Sequence, residues 1–242
     1  MNILLTNDDG YDAPGIHAAY NALSGLGAVH VIAPATERSA CSHMITLGRP
    51  INVERLSHPD FGAMCAIDGT PADCVRLGVA ELLEQPIDLV VSGVNRGANA
   101  GVDVFYSGTI AGAREGAILG IMSIAVSHAV RAEVEIDWVA ASEITGFMVR
   151  RLIGEKLPGP GLWSVNLPAP LPADARNHIH RVPLATQPTP MEFDRADSGT
   201  GEAIEFQYGA PYWTRDVQSP SDYSVIRAGG IAVTAIPLTG RF

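Results

Sequence analysis

The sequence predicts a protein of the α/β class, with helices on both faces of a mostly parallel sheet. Short apolar runs alternate with helical patterns over the first two-thirds of the chain. Strands that alternate with helices of this length imply βαβ units, which build parallel sheets. Beyond residue 167 the composition changes to prolines and short strand-like runs. We therefore expect a Rossmann-like three-layer α/β/α core followed by a β-rich C-terminal extension.

The core elements follow one another in a regular order. The apolar run at residues 2–6 predicts a buried strand, and residues 14–26 predict a helix with Pro14 in its first turn. A second strand covers residues 28–33 and is stopped by Pro34. The same rhythm predicts strands over residues 88–92, 122–126 and 163–167, and helices over residues 71–84, 109–119 and 138–152.

The C-terminal region has a different pattern. The segment Pro-Ala-Pro-Leu-Pro at residues 168–172 predicts a stiff, extended connector. Residues 175–242 read as short strands and turns, with one clear strand over residues 231–237. We interpret the chain as a single domain over residues 1–242. It would consist of an α/β core over residues 1–167 and an extension over residues 168–242 that serves as an arm in oligomer contacts.

Charge and cysteine content exclude several classes of partner. The 242 residues carry a net charge of −10, and the 16 basic residues include one lysine, Lys156. A groove for a nucleic-acid duplex or a membrane-binding patch needs clustered basic residues. The longest nearly apolar run, residues 117–130, is too short to span a bilayer, and no signal segment is visible at the N-terminus. Three cysteines without CxxC spacing indicate no disulfide framework, so we expect a cytoplasmic protein.

The first polar cluster follows the first predicted strand directly. It consists of Asn7, Asp8, Asp9 and Gly10, at the strand end where parallel sheets bind ligands. Adjacent carboxylates repel each other, so both stay ionised at little cost only in water or beside a cation. The cluster therefore indicates either a metal site or a polar turn that leads to Asp12 as the cap of the next helix.

Two further clusters follow later strands. Residues 36–43 (TERSACSH) come after the second strand and would also suit an ordinary hydrophilic connection. Residues 92–101 (SGVNRGANAG) follow a later strand and lead to Ser107, Gly108 and Thr109 at a helix start. Glycines let a backbone approach a ligand, and a helix N-terminus offers free N–H groups to an anion. The pattern is neither a dinucleotide-binding GxGxxG nor a P-loop.

Taken in order and spacing, these clusters resemble the signatures of the SurE family, the survival-protein 5′/3′-nucleotidases. Residues 68–75 (DGTPADCV) and 163–168 (WSVNLP) match two more family segments. The resemblance is strong over residues 1–128 and looser beyond them, where the closing strand at residues 231–238 is similar. Ala40 stands where the family usually has glycine after the serine. Arg96 and Arg114 are less usual and would add positive charge near the site.

The resemblance implies a metal-dependent phosphomonoesterase that acts on nucleoside 5′- and 3′-monophosphates, with short polyphosphate as a further substrate. It implies that Asp8 and Asp9 are catalytic, and that these two, Ser39 and Asn95 bind the metal. Since all four ligands offer oxygen, one Mg²⁺ or Mn²⁺ per subunit fits best. The implied phosphate contacts are Asn95, Asn99, Ser107, Gly108 and Thr109. A homodimer or homotetramer is the implied assembly.

Several alternatives stay open at this point. The phosphate could be attacked by a metal-activated water or by Asp8 or Asp9, which would form an aspartyl-phosphate. A nucleotide-binding sensor without turnover, or a hydrolase of another small phosphate ester, would use a similar site. The sequence does not separate bases, or 5′ from 3′ phosphates. We interpret Tyr106 as a packing residue rather than a base-stacking one, and His43 as a loop residue rather than a proton donor.

Overall fold

The structure, a computed structural model, describes residues 1–196, 204–209 and 212–239. Its strands are β1 (Asn2–Thr6), β2 (Ala28–Pro34), β3 (Val53–His58), β4 (Gly62–Ile67), β5 (Leu89–Arg96), β6 (Met122–His128), β7 (Gly161–Leu167), β8 (Ile179–Arg181), β9 (Phe193–Ala196), β10 (Glu205–Tyr208) and β11 (Ile231–Pro237). Its helices are α1 (Pro14–Leu23), α2 (Pro71–Leu77), α3 (Gly108–Ile118), α4 (Trp138–Ile153) and α5 (Asp222–Arg227).

Nine of the described strands form one sheet in the order β3-β4-β2-β1-β5-β6-β7-β11-β8. Neighbouring strands are parallel except at the β3–β4 and β7–β11 pairs. Alternate side chains of β1 face different helices. Ile3 and Leu5 share a core with residues of α1 and α4, whereas Leu4 packs with residues of α2. The predicted mostly parallel sheet with flanking helices is therefore confirmed.

The middle of the sheet is where the chain reverses the direction in which it adds strands. From β1 it proceeds to β2 on one side and later returns to place β5 on the other. In such sheets the crevice outside the carboxyl ends of the two strands is the usual ligand site. The acidic loop (residues 7–10) follows β1, and Asn95 lies near the end of β5. The fold therefore brings two of the predicted clusters to one crevice.

The structure departs from the sequence prediction in three places, and one of them is helix α5 (Asp222–Arg227), which lies in the region predicted as short strands and turns. The β3–β4 hairpin was not predicted, because its exposed strand β3 alternates polar and partly buried residues instead of showing an apolar run. The predicted helix over residues 71–84 is α-helical only to Leu77 and continues as a π-helical turn over Gly78–Leu82. At Gly78 a β-carbon would lie 2.5 Å from Cδ1 of Leu4, so the turn packs tightly on the sheet.

The C-terminal residues take part in both the central sheet and a separate one. Strand β11 pairs antiparallel with β7, and β8 pairs parallel with β11. Strands β9 and β10 form a two-stranded antiparallel sheet of their own, so the β-rich extension is present. The division of the domain at residues 167 and 168 stays a prediction, and the central sheet runs across that boundary. Within the described residues, no helix combines the length and apolar character that crossing a membrane requires.

Candidate functional site at the carboxyl ends of β1 and β5

The acidic loop turns sharply as it leaves β1. Nδ2 of Asn7 donates a hydrogen bond of 2.7 Å to the carbonyl oxygen of Gly10. Gly10 has a φ of +101°, a conformation that side chains other than that of glycine rarely adopt. This turn leaves Asp8 buried, with 4% of its surface exposed, and Asp9 partly buried. The two adjacent carboxylates therefore have different surroundings.

Asp8 lies against the first turn of α3. The hydroxyl of Thr109, which is fully buried, donates a 2.5 Å hydrogen bond to Oδ1 of Asp8. Burial raises the pKa of Asp8 to about 6, although the Thr109 bond opposes this shift, and the charge of Asp9 adds to it. The protein groups around Asp8 therefore do not offset the cost of burying its ionised carboxylate. A bound cation would stabilise the ionised form.

Asp9 connects the acidic loop to the end of β5. The backbone N–H of Arg96 donates to Oδ2 of Asp9 at 3.1 Å. Burial raises the pKa of Asp9, while the bond from Arg96 acts in the opposite direction. The neighbouring Asn95 uses its Nδ2 to donate to the carbonyl oxygen of Gly97 at 2.8 Å. The oxygen of the Asn95 amide is therefore the atom that this side chain can offer to a cation.

The serine loop (residues 36–43) lies beside the acidic loop. The backbone N–H of Arg38 donates to the carbonyl oxygen of Asp8 at 2.7 Å. Ser39 is exposed, and its hydroxyl donates to Oε1 of Glu37 at 2.6 Å. The structure thus places Ser39 next to the contact with Asp8, but its hydroxyl bonds to Glu37. While the hydroxyl donates to Glu37, its oxygen keeps lone pairs that could bind a cation.

The carboxylates of Glu115 and Asp73 fix the far end of the serine loop and the residues after it. Nε2 of His43 lies 2.8 Å from Oε2 of the buried Glu115, whose other oxygen accepts from Arg76. The Thr46 hydroxyl donates to Oδ2 of Asp73 at 2.7 Å. Because Glu115 belongs to α3 and Asp73 to α2, both helices hold the loop in position. The interpretation of His43 as a loop residue agrees with these contacts.

Ala40 in the serine loop has a φ of +54°, so its backbone is in the left-handed region. We expect Ala40→Gly to raise the free energy of unfolding by about 0.5–1 kcal/mol. An alanine in the left-handed region costs about 1–2 kcal/mol, which glycine avoids. Glycine also has more conformational freedom in the unfolded chain, and this reduces the net increase in the free energy of unfolding. Chemical denaturation would measure the change. Ala132→Gly, at an exposed loop alanine without positive φ, should instead be slightly destabilising; equal effects of the two substitutions would contradict the prediction.

The start of α3 borders the crevice together with the acidic loop and the serine loop. The Ser107 hydroxyl caps the helix by accepting from the N–H of Ile110 at 3.0 Å. At Gly108 a β-carbon would lie 2.9 Å from Oδ2 of Asp8 and 2.9 Å from Sγ of Cys41. The absence of a side chain at Gly108 therefore lets the helix N-terminus approach Asp8. The structure brings Gly108 and Thr109 directly to the acidic loop.

Asn99 is held from two sides. Its Nδ2 donates to the hydroxyl of Ser127 at 2.8 Å, and its backbone N–H donates to Oδ1 of Asn166 at 2.9 Å. Nδ2 of Asn166 returns a bond to the carbonyl oxygen of Asn99 at 3.1 Å. One N–H of the Asn99 side-chain amide thus bonds to Ser127, and this amide has a second N–H to donate. Sequence reasoning did not identify Asn166 or Ser127 as positioning residues, although the segment over residues 163–168 contained the signal.

The loop before α3 is clamped by C-terminal residues. Nη2 of Arg215, which is 3% exposed, donates to both carboxylate oxygens of Asp103 at 2.9 and 2.8 Å. The buried Asp222 accepts from the backbone N–H of Gly101 at 2.7 Å. Tyr106, next to this loop, is 61% exposed, so its interpretation as a packing residue is wrong. Arg114 donates to the carbonyl oxygen of Val104. The C-terminal region thus holds in place the loop that leads to α3 at the crevice.

A paired acidic loop and a helix N-terminus at the topological switch point are typical of α/β proteins that bind a small anionic ligand in this crevice. The family model for the survival protein SurE matches residues 3–189 of the chain. The chain is 40% identical over 238 residues to the 5′-nucleotidase SurE of Heliobacterium modesticaldum, covering 98% of this chain and 86% of that protein. It is 37% identical over 248 residues to the 5′-nucleotidase SurE of Laribacter hongkongensis, covering 99% and 95%.

Comparison of structures leads to the same family. The crystal structure of the SurE protein from Aquifex aeolicus superposes with a TM-score of 0.85 at 33% sequence identity. The match covers 100% of this chain and 95% of that one. The chain therefore belongs to the SurE family, as the sequence motifs predicted.

Proposed function

We propose that the protein is a metal-dependent phosphomonoesterase that hydrolyses nucleoside 5′-monophosphates to nucleoside and phosphate. The observation that carries this proposal is the buried Asp8, which lies beside Asp9 and against the N-terminus of α3. Carboxylates at this place would repel a phosphate unless a cation lay between them. The names of the two relatives, both 5′-nucleotidases, support the same activity.

The side chains proposed to hold the ion are Asp8, Asp9, Asn95 and Ser39, which offer oxygen atoms and no nitrogen or sulfur. This donor set fits Mg²⁺ or Mn²⁺, one ion per subunit, better than zinc. Burial raises the pKa of Asp8 and of Asp9, so each ionised carboxylate gains from a cation. When bound, such an ion polarises a phosphoryl oxygen and lowers the pKa of a water molecule.

The phosphate is proposed to bind the side chains and amides at the start of α3, namely Ser107, Gly108 and Thr109, together with Asn95 and Asn99. The first N–H groups of an α-helix lack partners within the helix and attract anions. Because two ionised carboxylates cancel the charge of a divalent ion, directed donors rather than net charge must hold the phosphate. This arrangement suits a small phosphate ester better than a long polyanion on a chain of net charge −10.

The surroundings of Asp8 support attack on phosphorus by water rather than by this carboxylate. Asp8 is a proposed metal ligand and its Oδ1 also accepts from Thr109, so its oxygens are engaged in binding the ion and the helix and are poor nucleophiles. In this scheme water forms the new P–O bond, and the nucleoside oxygen leaves and takes up a proton. Acid quenching during a single turnover, followed by peptide mass analysis, would detect a phosphoryl adduct on Asp8 or Asp9; finding one would overturn water attack.

Removal of the metal is the direct test of the proposed activity. We expect phosphate release from a nucleoside 5′-monophosphate to fall to background in excess chelator and to return when Mn²⁺ or Mg²⁺ is restored. The panel should include nucleoside 3′-monophosphates, short polyphosphate and non-nucleotide phosphate esters, because the first two are further proposed substrates. If nucleotides bind but no ion supports release, the protein is a sensor and the proposed activity is wrong.

We further propose a homodimer or homotetramer in the cytoplasm. The β9–β10 sheet exposes Phe193, Phe206 and Tyr208, by 51%, 61% and 75% of their surfaces. Exposed aromatic side chains grouped in this way are typical of protein contact surfaces. Free cysteines at positions 41, 65 and 74 suit a reducing compartment. Light scattering of the intact protein after size exclusion would measure the assembly, and a monomer would contradict the proposal.

A further inference from the structure

A second group of potential metal ligands lies outside the proposed catalytic set. We call Asp12, His17 and His58 the Asp–His cluster. Asp12 lies in the segment between β1 and α1, His17 belongs to α1, and His58 is the last residue of β3. One ligand atom of each residue lies within 4.8 Å of the corresponding atoms of the other two. Two imidazoles and a carboxylate at this separation have the composition of a transition-metal site.

His17 has a carboxylate near each ring nitrogen. Its Nδ1 lies 3.1 Å from Oδ2 of Asp60, and its Nε2 lies 3.6 Å from Oδ1 of Asp12. If neutral His17 donates its Nδ1 proton to Asp60, the lone pair of Nε2 points towards the carboxylate of Asp12. Histidines that ligate metals commonly have this arrangement, in which a carboxylate orients the ring from its far side.

His58 approaches the same oxygen of Asp12 from the β3–β4 turn. Its Nε2 lies 3.4 Å from Oδ1 of Asp12, and its Nδ1 accepts from the N–H of Asp60 at 3.2 Å. In this state His58 carries its proton on Nε2. To bind a metal ion through Nε2, His58 would have to adopt its other neutral tautomer, with its single proton on Nδ1, and the 3.2 Å bond from the N–H of Asp60 would be lost.

The rings are held before any ion binds. His58 stacks on Phe61 with ring centroids 4.2 Å apart, and His17 lies 4.6 Å from the same ring. The Asp12 side chain is 76% exposed and those of His17 and His58 are 26% and 12% exposed, which leaves a path for an ion. Since the orientation of both imidazoles is fixed by packing, little ordering would accompany binding.

We propose that the Asp–His cluster binds a divalent transition-metal ion of the Zn²⁺ or Cu²⁺ class through Nε2 of His17, Nε2 of His58 and the carboxylate of Asp12. Asp60 supports the site by orienting His17. The Asp–His cluster shares no residue with the proposed catalytic set, which contains only oxygen donors. A bound ion would join the β3–β4 turn to α1 across 46 residues of sequence, between Asp12 and His58.

Electron paramagnetic resonance of protein without a histidine tag tests the proposal, with Cu²⁺ as the probe. We expect a Cu²⁺ spectrum that contains a hyperfine pattern from two imidazole nitrogens. The double variant His17→Gln/His58→Gln should lose that pattern, whereas His178→Gln/His180→Gln, a matched pair at exposed histidines, should keep it. Asp9→Asn should also keep it, which separates this site from the proposed catalytic one.

Zn²⁺ affinity, measured by competition with a chromophoric chelator, provides a second readout. Asp12→Asn changes an exposed side chain and should not prevent folding; it should weaken Zn²⁺ binding at least about 10-fold through loss of a ligand. Asp60→Asn should weaken it about 10-fold through loss of the orienting carboxylate. A Cu²⁺ spectrum without nitrogen coupling, or Zn²⁺ affinity unchanged in folded Asp12→Asn and in the double variant, would overturn the proposal.

Discussion

Asp9→Asn is expected to lower kcat/KM for a nucleoside 5′-monophosphate by at least about 10²-fold, since loss of a charged metal ligand removes several kcal/mol of transition-state stabilisation. The fold should be retained. Burial raises the pKa of Asp9, so the folded protein disfavours the ionised carboxylate, and a neutral amide removes that penalty. We therefore expect unchanged or slightly higher stability of the metal-free variant, measured by denaturation beside steady-state kinetics.

Asp88→Asn is the matched control for this substitution. Asp88 precedes β5 at the amino ends of the strands, opposite the candidate site. Its Oδ2 accepts from the N–H of Asn2 at 2.7 Å. An asparagine there keeps an acceptor oxygen, so activity should stay near that of the natural protein. If folded Asp9→Asn turns over substrate as fast as Asp88→Asn, Asp9 does not take part in the reaction and the proposed metal ligands are wrong.

The elements that could be predicted are those whose burial produces a pattern of apolar residues within their own sequence. Strands β1, β5, β6 and β7 are buried on both faces, so their residues form apolar runs visible in the sequence. The hairpin formed by β3 and β4 lies at the sheet edge, and β3 is partly exposed along its length. The pairing of β4 with β2 and of β11 with β7 joins segments that are distant in sequence, such as Ile32 with Cys65 and Ala232 with Asn166.

The part of the candidate site that lies at the carboxyl ends of the strands could be predicted from the sequence. The acidic loop follows β1, and Asn95 lies near the end of the neighbouring parallel strand β5, so topology alone brings them to one edge. Their hydrogen-bond partners could not be predicted, because Asn99 and Asn166 are 67 residues apart and Asp103 and Arg215 are 112 apart. The same reason applies to the Asp–His cluster, since His58 reaches Asp12 only through the unpredicted hairpin.

Gly15→Ala is expected to have the largest effect on stability. A β-carbon at Gly15 would lie 1.8 Å from the backbone oxygen of Val94, so α1 would have to move away from the end of β5. Overpacking against a backbone atom should lower the free energy of unfolding by about 3 kcal/mol or more. For a chain of this length that corresponds to a fall in Tm of roughly 6–12 °C, measurable by calorimetry.

The position of Val94 connects the expected loss of stability in Gly15→Ala to the candidate metal site. Val94 precedes Asn95 in β5, and α1 begins just after the acidic loop, so separating α1 from β5 should also pull Asn95 away from Asp9. We therefore expect surviving Gly15→Ala protein to need a higher metal concentration for half-maximal activity. Gly159→Ala, where no atom lies within 4 Å of the added carbon, should leave both properties unchanged. A Gly15→Ala protein with unchanged Tm and metal dependence would mean that α1 does not fix the end of β5.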